Sequence, residues 1–320
     1  MRFSLAGRQF TRMIARVLGL WLILGTLINA SAAQTTLVIG DQARILRSLL
    51  ESSGVLQGIP YQIRWANFQG AAPLFEAQRA DAVDTSYAGD LPVLQALAGG
   101  VNLKIILTEV SSGKGNGIVV PANSPINSVN DLRGQQVVVS SAAGSISQNL
   151  LYLALEKAGL SRQDAKIRFV LPVDASAAFN SGQIKAWAVF DPYLAVAQQN
   201  GGRLITDASK LTSSFSFLTA TSQSLADPAK QRAIKDFAGR VRQARLWALS
   251  HPQQYAESYA KLSHLPPATA TLITSRAATD SRSVTSADLA SLQTTADRFY
   301  HYGILPDKIN VNDHAIKGFL

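Results

Sequence analysis

Short β-branched apolar runs alternate with helix-spaced stretches along most of the chain. Thr36–Gly40 (TLVIG) reads as a strand, Arg44–Ser52 as a helix, Gln62–Trp65 as a second strand and Ala71–Arg79 as a helix. Ala82–Tyr87 and Asn102–Thr108 add two strands around a helix from about Leu91 to Ala98, with Asp90 at its N-terminus. Strands separated by helices predict an α/β fold with a mainly parallel sheet covered on both faces. The pattern then begins again. Gly117–Val120, Gln136–Ser140, Ile167–Leu171, Ala186–Phe190 and Arg203–Ile205 read as strands. Ser145–Ala158, Ala175–Asn180 and Leu194–Gln199 read as helices, and Ser128-x-x-Asp131 as a capping box. After Phe217–Thr221 the pattern turns helical, with Ile234, Phe237, Val241 and Ala244 on one face of Ala229–Ser250. A helix after His251–Pro252 and another at Ala287–His301 follow, and both are expected to pack back on the first sheet.

Two polar stretches, Ser111–Asn116 and Thr212–Ser216, bracket the second α/β set. Residues 34–112 and 215–320 are therefore expected to form one lobe, and residues 113–214 a second. Two lobes joined by two crossings make a hinged clamp, and a ligand belongs in the cleft between them.

The first 33 residues follow a different logic. Arg2, Arg8, Arg12 and Arg16 precede the apolar run Val17–Ile28, and Ala30-Ser31-Ala32-Ala33 follows it. That order predicts a secretory signal peptide over 1–33, cut near Ala32 or Ala33. The apolar run is short of the roughly 20 residues a membrane-spanning helix needs. The mature chain is expected to be soluble, exported and periplasmic. Removing the signal leaves 26 basic against 21 acidic residues, a net charge of +5. The bases are scattered, which argues against nucleic acid as a partner.

Composition narrows the chemistry. At 47% apolar and 16% charged the chain can bury a large core. With no cysteine, it cannot form a disulfide, a thiolate metal site or a thiol nucleophile. The four histidines, at 251, 264, 301 and 314, lie in the helical tail without metal-ligand spacing. The glycine-rich GKGNG at 113–117 precedes a strand and lacks the G-K-[ST] ending of a nucleotide loop. No cofactor, metal site or catalytic group is expected.

Binding chemistry has better support. The segment Ser140–Asn149 (SSAAGSISQN) joins a buried strand to a helix. A helix N-terminus offers unpaired N–H groups and about half a positive charge to an anion. Gly144 permits close approach, and the Ser145 and Ser147 hydroxyls add donors, although a serine here is equally an ordinary N-cap. Gln42 and Gly89 sit just beyond strand C-termini, where open α/β sheets place their ligands. Asp90 is either a ligand contact or a helix cap. Trp187 and Phe190, in WAVFDPY, either wall an organic group or fill the core.

These segments resemble a known family. GDLP at 89–92, SVNDLRGQQVVVS at 128–140, GSISQNLLYLALEKAGL at 144–160 and the D-A-x-x-A-F-x-x-G-x-I-x-A-W-A-V-F-D-P-Y run at 174–193 are similar to the aliphatic sulfonate and taurine receptors of ABC importers. Nitrate and thiamine-precursor receptors belong to the same superfamily. The resemblance implies a two-lobed periplasmic binding protein of type II, with no enzymatic activity. It implies a monomer that binds a small organic anion, most simply an alkanesulfonate, and a membrane permease as partner. It also implies a cleft where Gln42, Gly89 and Asp90 face Ser145, Trp187 and Asp191, with Ser111 at a crossing. Phe190 stands where the sulfonate receptors often carry a second tryptophan.

Overall fold

The computed structural model describes residues 34–320 apart from Ser213, so the expected signal peptide lies outside the described residues. Eleven strands and eleven α-helices follow in chain order among them. The first set is β1 (Thr36–Gln42), α1 (Ile45–Ser52), β2 (Gln62–Phe68), α2 (Ala71–Arg79), β3 (Thr85–Gly89), α3 (Asp90–Ala98) and β4 (Leu103–Val110). The second is β5 (Asn116–Val120), β6 (Gln136–Val139), α4 (Ile146–Lys157), β7 (Lys166–Phe169), α5 (Pro172–Asn180), β8 (Trp187–Phe190), α6 (Tyr193–Gln199) and β9 (Arg203–Asp207). The chain then runs through β10 (Phe215–Thr221), α7 (Ser222–Ala226), α8 (Pro228–Ser250), α9 (Pro252–Ser263), α10 (Pro267–Arg276), β11 (Ser281–Ser283) and α11 (Ser286–His301). No described helix is long and apolar enough to cross a membrane.

Two sheets result, ordered β11-β4-β10-β3-β1-β2 and β7-β6-β8-β5-β9. Both are mixed. β1 runs parallel to β2 and β3, and β6 parallel to β7 and β8. β10 is antiparallel to β3 and β4, and β5 is antiparallel to β8 and β9. The reversal has a simple cause. β5 and β10 each follow directly on a passage between the sheets, so each enters its sheet from the end where the parallel strands finish. At that end the outgoing and returning chains touch, with Ser111 N–H donating to Ser214 O at 3.2 Å.

Alternation along the central strands loads both faces of each sheet. In β10, Leu218 and Ala220 join one core, while Phe215 and Phe217 join the other. The first core includes Ile234, Phe237 and Val241 of α8, so the helical tail packs on the first sheet as its apolar stripe predicts. In β8, Ala188 faces Leu150 and Leu151 of α4, whereas Trp187 and Val189 face Phe179 of α5.

One polar cluster is sealed inside the first lobe. Arg245 of α8 grips Glu109 of β4 through Nε at 3.0 Å and Nη2 at 2.9 Å, and the Tyr87 hydroxyl donates to Glu109 Oε2 at 2.5 Å. Arg245 and Glu109 are each only 2% exposed. Removing one partner of such a pair leaves the other charge buried and alone, which costs about 3–5 kcal/mol. Arg245→Met should therefore lower the denaturant midpoint by an amount of that order, and Arg245→Met with Glu109→Gln should recover most of it. A loss under about 1 kcal/mol in the single variant would show that the pair adds nothing.

Candidate functional site

The parallel strands of both sheets end at a shared crevice that encloses about 210 Å³. After β1 the chain turns sharply, with Ala43 and Arg44 both left-handed (φ 53° and 59°). The Asp41 carboxylate collects the N–H groups of Gln42, Leu46 and Arg47 at 2.7, 3.1 and 2.9 Å, capping α1. Gln42 and Ala43 are thereby held in the wall. Gly89 and Asp90 enter from the β3–α3 junction, Ser145 and Ile146 from the start of α4, and Phe190 and Asp191 from the end of β8. Ser111 lies at the crossing.

Seven of the nine residues expected from sequence thus line one cavity, and two do not. Trp187 is fully buried. Its indole N–H donates to Ser140 Oγ at 2.9 Å and its ring packs 5.5 Å from that of Phe179. Strand alternation aims it into the core under α5. Ser147 is also fully buried, one position round α4 from the crevice, and its hydroxyl donates to Asn116 Oδ1 at 3.3 Å. Gln42 lines the cavity, but its amide N–H already donates to Tyr87 O at 2.9 Å. Asp90 is the first residue of α3, with Gly89 in the cap position, and its carboxylate accepts the Leu91 N–H at 2.7 Å.

The donors that face the cavity are mostly neutral. Ser145 caps α4, accepting Gln148 N–H at 3.3 Å, and the first N–H groups of that helix have no intrahelical acceptor. Asn149, 2% exposed, also lines the crevice, and its Oδ1 has no partner. Ile45, Ile146, Phe190, Tyr193, Phe215 and Ile273 supply an apolar wall. Sequence reading missed two lining arginines. Arg245 is neutralised by Glu109, as above. Arg276, at the end of α10, reaches Asp191 at 3.2 Å and donates to Gln198 Oε1 at 2.6 Å, tying α10 to the second lobe. The Pro267 start and the terminal Arg276 were the available signals for α10, whose threonine-rich interior hides its helical period.

Charge is balanced except at one point. Asp191 is held at about 6 by burial, with Arg276 pulling the other way. Asp90 is pushed up to about 6 by burial, against the N–H groups of Leu91 and Asp90, and has no ion-pair partner among the described residues.

The two lobes meet without slack. A Cβ on Gly89 would lie 2.4 Å from Ile146 Cγ2, and one on Gly70 would lie 2.9 Å from Ser141 Oγ. A Cβ on Gly144 would lie 2.8 Å from Gln95 Cγ. Elsewhere between the lobes, Arg162 sits 3.9 Å over the Tyr302 ring and donates to Tyr302 O at 3.1 Å.

Gly89 has ordinary extended backbone (φ −70°), so alanine is tolerated there until the lobes close. Overpacking of this kind costs about 1–3 kcal/mol. Gly89→Ala should weaken ligand binding about tenfold in calorimetry while leaving the unliganded melting temperature unchanged. Unchanged affinity would mean that this contact is not part of the bound state. A second expectation concerns pH. A carboxyl whose folded pKa is raised contributes most stability below its unfolded pKa and loses it as pH rises towards about 6. Asp90→Asn should therefore add ~2 kcal/mol of stability at pH 7 and much less at pH 4. Equal gains at both pH values would contradict this.

Comparisons with known proteins fit this geometry. The family model for the ABC transporter, phosphonate, periplasmic substrate-binding protein matches residues 44–237. The chain is 32% identical over 292 residues to a putative aliphatic sulfonates-binding protein of Escherichia coli K12, covering 89% of each. The alkanesulfonate-binding protein SsuA from Xanthomonas axonopodis pv. citri, solved with MOPS bound, superposes with a TM-score of 0.82 at 28% identity. That match covers 89% of this chain and 99% of the other. The desulfurization enzyme DSZB shares the fold alone, at 16% identity and a TM-score of 0.64. The chain belongs to the periplasmic substrate-binding proteins of ABC transporters.

Proposed function

We propose that the protein captures a small aliphatic sulfonate in the periplasm and hands it to the membrane permease of an ABC importer, as a monomer and without chemical change. The observation that carries this reading is the charge state of the crevice. Both of its arginines are already neutralised by carboxylates, and Asp90 is an unpaired acid. A dianion such as an ionised phosphonate would meet no free cation here. A single, diffuse negative charge suits neutral donors better, and the start of α4 presents those. The carbon tail finds Phe190, Tyr193 and Ile273. The edge-to-face packing of Phe190 on Tyr193, with centroids 6.3 Å apart, makes that wall rigid.

The similarity to sulfonate-binding relatives supports the same reading. Among the described residues the cavity wall holds no histidine, and the Ser145 hydroxyl is engaged only in helix capping. These features suit retention of a ligand and offer no nucleophile–base pair.

Asp90 favours a second reading within the same class. A sulfonate that also carries an ammonium group, such as taurine, would give this carboxylate its missing partner. Calorimetry with ethanesulfonate, taurine, methylphosphonate and nitrate separates these outcomes. Ethanesulfonate is expected to bind with micromolar affinity, which is about −8 kcal/mol. Ser145→Ala should weaken it about tenfold. Asp90→Asn should leave it unchanged or tighter, and should weaken taurine only if that ammonium rests on Asp90. Failure of both sulfonates to bind, with methylphosphonate or nitrate bound tightly, would overturn the proposal.

A further inference from the structure

A second cavity of about 170 Å³ lies beside the main crevice, between α2 and α3 of the first lobe and the 141–145 loop of the second. The two share Ala71, Pro92, Ser141 and Ser145 as wall residues. The start of α4, where the anion is placed, is thus the partition between them. The second cavity has a mixed lining, with apolar residues beside Glu76, Arg79, Gln95 and Ser141. Phe75 and Ala96 come from the first lobe and Ala142 from the loop, and Ala72 stands near the outer end on an exposed turn of α2. Nothing in the anion site needs this extra space.

We infer that this side cavity is a tail channel, which lets the receptor accept sulfonates whose carbon chain outgrows the main crevice. The inference rests on the sulfonate reading above and adds the chain-length range. Two observations support it beyond shape. Gln95 Oε1 is buried in the channel wall without a hydrogen-bond partner. Turned towards the channel, that oxygen would accept from a hydroxyl or ammonium at the far end of a chain. The mouth is polar, formed by the exposed Glu76–Arg79 pair with Nε and Oε2 3.3 Å apart. A polar chain end emerging there stays hydrated, so length carries little penalty once the channel is filled.

The channel also explains why glycine stands at 144. Its backbone is left-handed (φ 82°), and a side chain would collide with Gln95 at 2.8–2.9 Å. Gly144 lets the loop close over the channel and against the Gln95 side chain, whose carbonyl oxygen it covers.

The experiment is a calorimetric series of linear alkanesulfonates from two to eight carbons on the full mature chain. In the wild type each methylene buried in the channel should tighten binding roughly threefold to fourfold. Ala72→Phe, on an exposed helical turn, should keep ethanesulfonate within twofold and weaken octanesulfonate at least tenfold. Ala142→Leu provides an independent plug with the same expected pattern. Gln95→Leu should abolish any preference for an ω-hydroxyl over a methyl end. If both plugs leave the length dependence intact, or weaken every chain length equally, the channel is overturned while sulfonate capture stands. If ethanesulfonate does not bind the wild type, the sulfonate reading has failed and the channel with it.

Discussion

The structure depends on how closely the two lobes touch. At Gly70, Gly89 and Gly144 the facing side chains occupy the space that a single methyl group would need. Such contacts belong to a shut crevice, because separated lobes would not place these atoms together. The ion pair of Arg276 with Asp191 at the crevice and the stacking of Arg162 on Tyr302 are further contacts between the lobes. Each of these is worth little alone. A ligand that contacts both lobes supplies the remaining free energy, and it shifts the equilibrium only by its preference for the shut form.

The second constraint is electrostatic. A protein that holds an anion between lobes could use an unpaired arginine, but an arginine left without its ligand in a closed crevice would be a buried, uncompensated charge. Here Arg245 and Arg276 are each matched by a carboxylate. Each pair is complete without the ligand as counter-ion. In the proposed function the anion is left to backbone donors at the start of α4, which need no compensation when empty because water replaces it. Asp90 is the exception: it lines the cavity with no ion-pair partner among the described residues, and on the proposed function its carboxylate selects against ligands that bring a second negative charge to it.

Much of this was legible in the amino-acid sequence. The alternation of β-branched runs with helical periods identified the two α/β sets, and the polar stretches near 111–116 and 212–216 marked where the chain passes between the sheets. Loop placement after strand C-termini brought Gln42, Gly89, Ser145 and Asp191 into one cavity. What failed did so for physical reasons. In a strand buried on both faces, apolar periodicity does not say which face a residue takes, so Trp187 could not be told from a cleft residue. Ser147 differs from Ser145 by two positions, enough on a helix to turn its side chain away from the crevice. The direction of β5 and β10 is set by the crossings that feed them. Arg276 owes its role to residues some 80 positions away in sequence, and local pattern carries no trace of such a pairing.

The central claim is that the ligand shuts the two lobes on itself. Small-angle X-ray scattering of the mature chain with and without saturating ethanesulfonate tests it most directly. The account predicts a smaller radius of gyration with the sulfonate present, and a scattering curve that then matches the closed structure. A curve that stays the same under conditions where calorimetry shows the site to be filled would contradict it.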